Sequence, residues 1–155
     1  MTRTAIALAT ILLLSYPAAA QQLQKLIEQN VKASAGRLAN EAGTRPPELW
    51  IHVRSDTQRL EVQGKLAWFK AIQVNGRTLD VRPIQQVATG PQQSQLRFFK
   101  AADRTVGQML LGQVSRAIPA VVLQDMSNEY RGASWIESGH FELWLAPTVT
   151  RIATP

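Results

Sequence analysis

Alternation of apolar and polar residues is sharpest at residues 48–58, where the chain reads ELWIHVRSDTQ. Side chains along a strand point to opposite faces in turn. Ile51 and Val53 therefore share one face, and Trp50, His52 and Arg54 share the other. Ser55-Asp56-Thr57-Gln58 has the Ser-x-x-Gln form of a capping box, which stops the strand and starts a helix. That helix is expected over residues 57–71, with Val62, Leu66 and Phe69 at i, i+4 and i+7 facing a sheet. Gly64 in its middle costs about 1 kcal/mol of helix propensity against Ala, which suggests close packing against a strand.

Asn75-Gly76 predicts a tight hairpin turn between residues 72–74 and 77–79. Residues 79–87 read as a second main strand, with Pro83 assigning it to an edge or to a bulge. Residues 94–100 form a third, with Leu96 and Phe98 on one face and Arg97 and Phe99 on the other. Asp103 is placed to cap a helix over residues 104–117, whose apolar stripe is Val106, Leu110, Val114 and Ala117. A fourth strand follows at residues 120–124, then a polar, turn-rich segment at 127–139 carrying Tyr130 and Trp135. Residues 140–145 alternate again, Phe141, Leu143 and Leu145 against His140, Glu142 and Trp144, which predicts a fifth strand. Residues 148–155 are expected to be a loose tail. The order predicts an α+β fold, a ferredoxin-like βαββαβ sandwich with an extra C-terminal strand. Both helices would cover one sheet face, leaving the other open.

Before this domain, residues 21–43 carry a helical pattern, with Leu23, Leu26, Ile27, Val31 and Leu38 roughly on one side. Residues 44–47 read as a linker. The first 20 residues have the form of a secretory signal peptide: a basic lead with Arg3, an apolar run over residues 5–16, and Ala18-Ala19-Ala20 before Gln21. The run is shorter than the roughly 20 residues of a membrane span. An uncleaved anchor is the alternative; after cleavage no span is expected.

Composition narrows the setting. There is no cysteine among the 155 residues, so there is neither a disulfide nor a lipidated cysteine, and export without disulfides suits a bacterial periplasm or secretion from one. Removing Arg3 with the leader leaves 16 Lys and Arg against 11 Asp and Glu, a net of +5. That charge favours anionic cell-wall polymer or lipid headgroups, and it is also ordinary solubility charge. Nucleic acid is not expected as a partner of an exported chain.

Residues 50–56 leading into a helix, and QLRFFKAAD at residues 95–103 leading into a second, resemble the SPOR and LytR C-terminal-type modules of bacterial envelopes. The resemblance spans residues 49–125 and implies a ferredoxin-like fold and binding of septal peptidoglycan. It carries over no individual site residue, and the strand at 140–145 with its preceding loop departs from the pattern.

Candidate chemistry is sparse. The only histidines are His52 and His140, and no serine sits in a nucleophile-elbow context. The acids are scattered singly, so no catalytic residue and no enzyme activity is assigned, with a small hydrolase as the remote alternative. His140 and Glu142 share a strand face, and His52 joins them if the two strands pair; packed or surface histidines remain the simpler reading, and neither a metal nor a cofactor is assigned. The main candidate is the face opposite the helices, with Trp50, His52, Arg54, Arg82, Arg97 and Phe99. Rings stack on sugars, and Arg pairs bidentately with carboxylates. Such a face fits a cell-wall glycan or an envelope protein. It could equally be covered by the N-terminal helix, by residues 127–139 or by a second copy in a homodimer, because large apolar patches are rarely left exposed. The chain is therefore expected to be a non-catalytic binding module of the envelope, or else a structural accessory that oligomerises through its N-terminal helix.

Overall fold

The computed structural model describes residues 22, 24–27, 29–30 and 45–153. The signal peptide, most of the expected N-terminal helix and residues 154–155 lie outside the described residues; those described between 22 and 30 are helical. The chain divides into two compact units, Met1–Glu41 and Ala42–Pro155, and the second contains all that follows.

The unit is α+β, as its alternation implies. Strand β1 (Glu48–Val53) runs into helix α1 (Asp56–Gly64), and a second helix, α2 (Leu66–Ala71), continues it after a break at Lys65. The expected single helix over 57–71 is thus two. Gly64 ends the first and meets nothing within 4 Å of where a Cβ would stand. The break itself falls at Lys65, and the expected close packing of Gly64 against a strand is absent. The Ser55 hydroxyl caps α1 by accepting from the Gln58 N–H at 3.2 Å, while Asp56 sits in the first turn and is not itself the cap. In return Gln58 Oε1 accepts from the Arg54 N–H at 2.7 Å, one residue earlier than in a standard capping box.

The hairpin β2 (Gln73–Val74) and β3 (Arg77–Thr78) forms as expected, with Asn75 at φ 52° and Gly76 at φ 71° in its turn. Left-handed values at both central residues are what a type I′ turn requires. The next segment pairs with β1 in two pieces, β4 (Asp80–Val81) and β5 (Gln85–Gln86), on either side of Pro83. The proline removes a ladder donor and the segment lies at the sheet edge. Strand β6 (Gln95–Phe98), a 3-10 turn and helix α3 (Arg104–Val114) lead to β7 (Val122–Asp125), parallel to β6. The last strand, β8 (His140–Trp144), enters the middle: it runs parallel to β1 and antiparallel to β6. The order is β4-β1-β8-β6-β7, with β5 also on β1, so the sheet is mostly parallel.

One core fills the space between sheet and helices. Leu49, Ile51 and Val53, Leu96 and Phe98, and Phe141, Leu143 and Leu145 meet Val62, Phe69, Leu110 and Val114 there. In the core Gly107 permits close packing: a Cβ on it would lie 3.2 Å from Leu123 Cδ1 and 3.4 Å from Phe141 Cε1. Asp103 does not cap α3. It is buried, and its carboxylate reaches across to accept from Ser138 Oγ at 2.6 Å and the Gly139 N–H at 2.8 Å. The tail also packs: Ile152 is buried and the Ala153 N–H donates to the Ala117 carbonyl at 3.0 Å.

Gln58 ties these parts together. It is buried, and its Nε2 donates to the Ala146 carbonyl at 2.7 Å and the Val149 carbonyl at 2.9 Å. Gln58→Ala would leave those two carbonyls and the Arg54 N–H without their partner, at about 2–4 kcal/mol. Ser55→Ala should lose only a cap, about 1 kcal/mol. Urea unfolding of both variants at pH 7 checks the order; a Gln58→Ala cost no larger than that of Ser55→Ala would contradict it.

Candidate functional site

Because β8 lies between β1 and β6, the face opposite the helices is assembled in three rows. Glu48 stands beside His140 in the first. Trp50, Glu142, Arg97 and Gln124 form the second, each paired with the next across a strand boundary. His52, Trp144 and Gln95 form the third. The two histidines and the glutamate that the sequence sets on different strands therefore meet. His140 Nε2 lies 3.4 Å from Glu142 Oε1, and His52 Nε2 lies 3.8 Å from Glu142 Oε2. Trp144 Nε1 donates to Glu142 Oε2 at 2.8 Å.

The aromatic rings are layered with guanidinium groups. His52 stacks on Trp144 with centroids 4.2 Å apart and planes 18° from parallel. The Arg97 Cζ stands 4.5 Å from the Trp144 ring centre, and Arg97 Nε donates to Gln95 Oε1 at 2.9 Å. Arg97 thus turns to Trp144 and Gln95, although Glu142 is its register partner. At the other side the Arg82 Cζ lies 5.4 Å from the Trp50 ring centre, with its Nη1 3.2 Å from Asp80 Oδ2. Arg54 closes the end of β1: its Nη1 donates to the Gly90 carbonyl at 3.3 Å. Gly90 packs so tightly on Trp144 that a Cβ would fall 3.0 Å from Cε3, which explains a glycine in that loop.

Of the residues singled out in the sequence, Trp50, His52, Arg54, Arg82 and Arg97 share this face, and all but His52 keep partial exposure. Phe99 is covered. It is buried with Met126 and Ile136, packed against Tyr130 and Ala133, so the turn-rich segment lies over that end of the sheet. Its ring edge meets His140, centroids 5.2 Å apart. Trp135, from the same segment, is 72% exposed. Sequence reasoning left Glu142 and Trp144 off the binding face. Alternation had put them opposite Phe141 and Leu143; the neighbours of β8 were the missing datum.

Electrostatics follow from burial and from the carboxylate. Burial pushes the His52 imidazole below its ordinary value; Glu142 pulls it up, and Arg97 and His140 push it down. Burial pushes Glu142 up, but the contacts from His140 and Trp144 and the two imidazoles prevail and hold it below the usual carboxylate range. Both ring nitrogens of His52, and Trp50 Nε1, are buried without a hydrogen-bond partner. The face thus offers a carboxylate, two half-exposed indoles and guanidinium groups. Among the described residues no group of three His, Asp or Glu is arranged to hold a metal ion, and no hydroxyl side chain hydrogen-bonds to either imidazole. No protein-family model, curated protein or solved structure matches the chain.

A histidine held neutral by the fold gives a signed pH response. The unfolded chain takes up the His52 proton near pH 6.5, before the folded chain does. Stability conferred by the neutral ring is complete above that pH and is lost as pH falls through the lowered value. Glu142 acts the same way further down, below its unfolded value near 4.5. Asp103, pushed up by burial against its hydrogen bonds, acts in the opposite direction. His52→Phe keeps a ring on Trp144 and removes two unpartnered nitrogens. It should gain about 1 kcal/mol at pH 7 and flatten the fall in urea stability between pH 7 and 5. An unchanged slope in the variant would contradict the assignment.

Proposed function

We propose that the chain is a non-catalytic, exported binding module of the bacterial cell envelope that recognises peptidoglycan through the face opposite its helices. The carrying observation is the row Trp50–Glu142–Arg97, flanked by Trp144 and Arg82. Indole faces stack on pyranose rings, and guanidinium groups pair with the carboxylates of the stem peptides. Glu142, held ionised, accepts hydrogen bonds from sugar hydroxyls or amides. The buried, unpartnered nitrogens of His52 and Trp50 support a functional role, because a face kept only for stability would satisfy or remove them.

Export rests on the leader-like first 20 residues, and the envelope setting on the resemblance to SPOR and LytR C-terminal-type modules. Among the described residues no helix is long and apolar enough to cross a membrane. The ferredoxin-like reading of the sandwich draws on two strand–helix–strand halves with their helices on one face; the mostly parallel strand directions and the central β8 set this sheet apart within that reading.

Co-sedimentation with purified sacculi tests the proposal. The wild-type chain should pellet with sacculi, and Trp50→Ala and Arg97→Ala should each weaken retention about tenfold, the size of loss seen for aromatic and Arg anchors. A wild-type chain that stays in the supernatant refutes peptidoglycan recognition.

A further inference from the structure

The β4–β5 edge of the same sheet carries a groove that shares only Arg82 with the proposed glycan face. Its volume is about 330 Å³. One wall is a single stripe of α1 and α2, with Arg59, Leu66 and Lys70; the other is the broken edge strand, with Val81, Pro83 and Ile84. The remaining lining residues are Gln63 and Arg82, so no carboxylate lines it. Apolar side chains occupy the middle, and a cation stands toward each end of the helical wall.

Neither cation has a carboxylate partner among the described contacts. Lys70 is exposed, and the described contacts give it neither an ion pair nor a hydrogen bond. The Arg59 guanidinium donates from Nη2 to the neutral amide oxygen of Gln86 at 2.8 Å, while its Nε is buried with no acceptor. A carboxylate displacing the exposed Gln86 side chain would accept from Nε and Nη2 together, the stronger, charge-assisted arrangement. The backbone supplies the second half of the case. Arg82 and Val87 donate their N–H groups inward to β1, and Asp80 donates to the Pro47 carbonyl just before it. Among the described residues the outer side of β4 and β5 has no strand partner. An unpaired edge beside a groove receives an extended chain, with alternate side chains entering the groove.

We propose that this groove binds an extended acidic peptide segment, with two carboxylates flanking one apolar residue at alternate positions. The spacing sets the pattern. Arg59 in α1 and Lys70 in α2 are eleven positions apart, about 16 Å of helical rise summed over the two successive helices and the break at Lys65. Residues i and i+4 of an extended chain are about 13 Å apart, and the long side chains on both partners span the remainder. The segment therefore reads acidic-x-apolar-x-acidic, the apolar residue lying on Leu66, Val81 and Ile84.

The test is fluorescence anisotropy of a labelled acetyl-Glu-Thr-Val-Thr-Glu-amide peptide with the full chain, backed by amide chemical-shift mapping. Saturable binding is expected, weakened about tenfold by Arg59→Gln and several-fold by Lys70→Gln, and unchanged by Arg131→Gln. Shifts should centre on Leu66, Val81 and Ile84. The proposal is overturned by any of four results: no binding; equal binding of Glu-Glu-Val-Thr-Thr, which breaks the spacing; equal loss in Arg131→Gln; or shifts centred on Trp50 and Trp144. None of these outcomes depends on whether sacculi bind.

Discussion

The whole unit depends on where the last strand goes. His140–Trp144 inserts between two strand–helix–strand halves that otherwise share no sheet hydrogen bonds, pairing parallel with one and antiparallel with the other. One side of this strand, Phe141 and Leu143, completes the core; the other, His140, Glu142 and Trp144, completes the polar face. Remove it and β1 and β6 lose their shared neighbour, the core loses its centre, and His52 and Arg97 no longer stand on either side of Glu142. Fold and site are thus consequences of one pairing. Asp103 reinforces it by holding Ser138 and Gly139 just ahead of the strand.

That arrangement carries an electrostatic cost. A partly buried carboxylate is stable only with donors around it, and Glu142 finds them in Trp144 and His140. His52 is packed for ring stacking, and its nitrogens are left without partners. The guanidinium groups of Arg82 and Arg97 take positions over indoles, where the attraction of cation for ring face adds to their ordinary hydrogen bonds. A surface built in this way holds its rings in fixed orientations before any partner arrives.

Much of this was legible in the chain. Alternation identified β1, β6 and β8 and the division of their side chains between two faces; Asn75-Gly76 identified the hairpin; Pro83 identified the edge. What failed had a common cause, which is that local pattern does not report tertiary neighbours. Asp103 has the sequence context of a cap, yet Ser138 and Gly139 compete for its carboxylate. Gly64 looked like a contact glycine, and Gly107 proved to be one. Phe99 alternates with the exposed face, but the segment over it supplies Met126 and Ile136 as a lid. Ile152 sits in a stretch with no periodicity and is nonetheless buried. The convergence of His52, His140 and Glu142 depended on a strand pairing that no spacing could specify.

We propose that the face assembled by the last strand is the recognition surface. It is tested most directly by the indole and guanidinium N–H resonances of the uniformly labelled chain, titrated with a soluble muramyl-peptide glycan fragment. Trp50 Nε1, which has no partner within the fold, and Arg97 Nε should shift together and saturate together, while the amides of α3 stay in place. Resonances of Trp50 and Arg97 that do not move while the fragment binds elsewhere, or does not bind at all, would contradict the account.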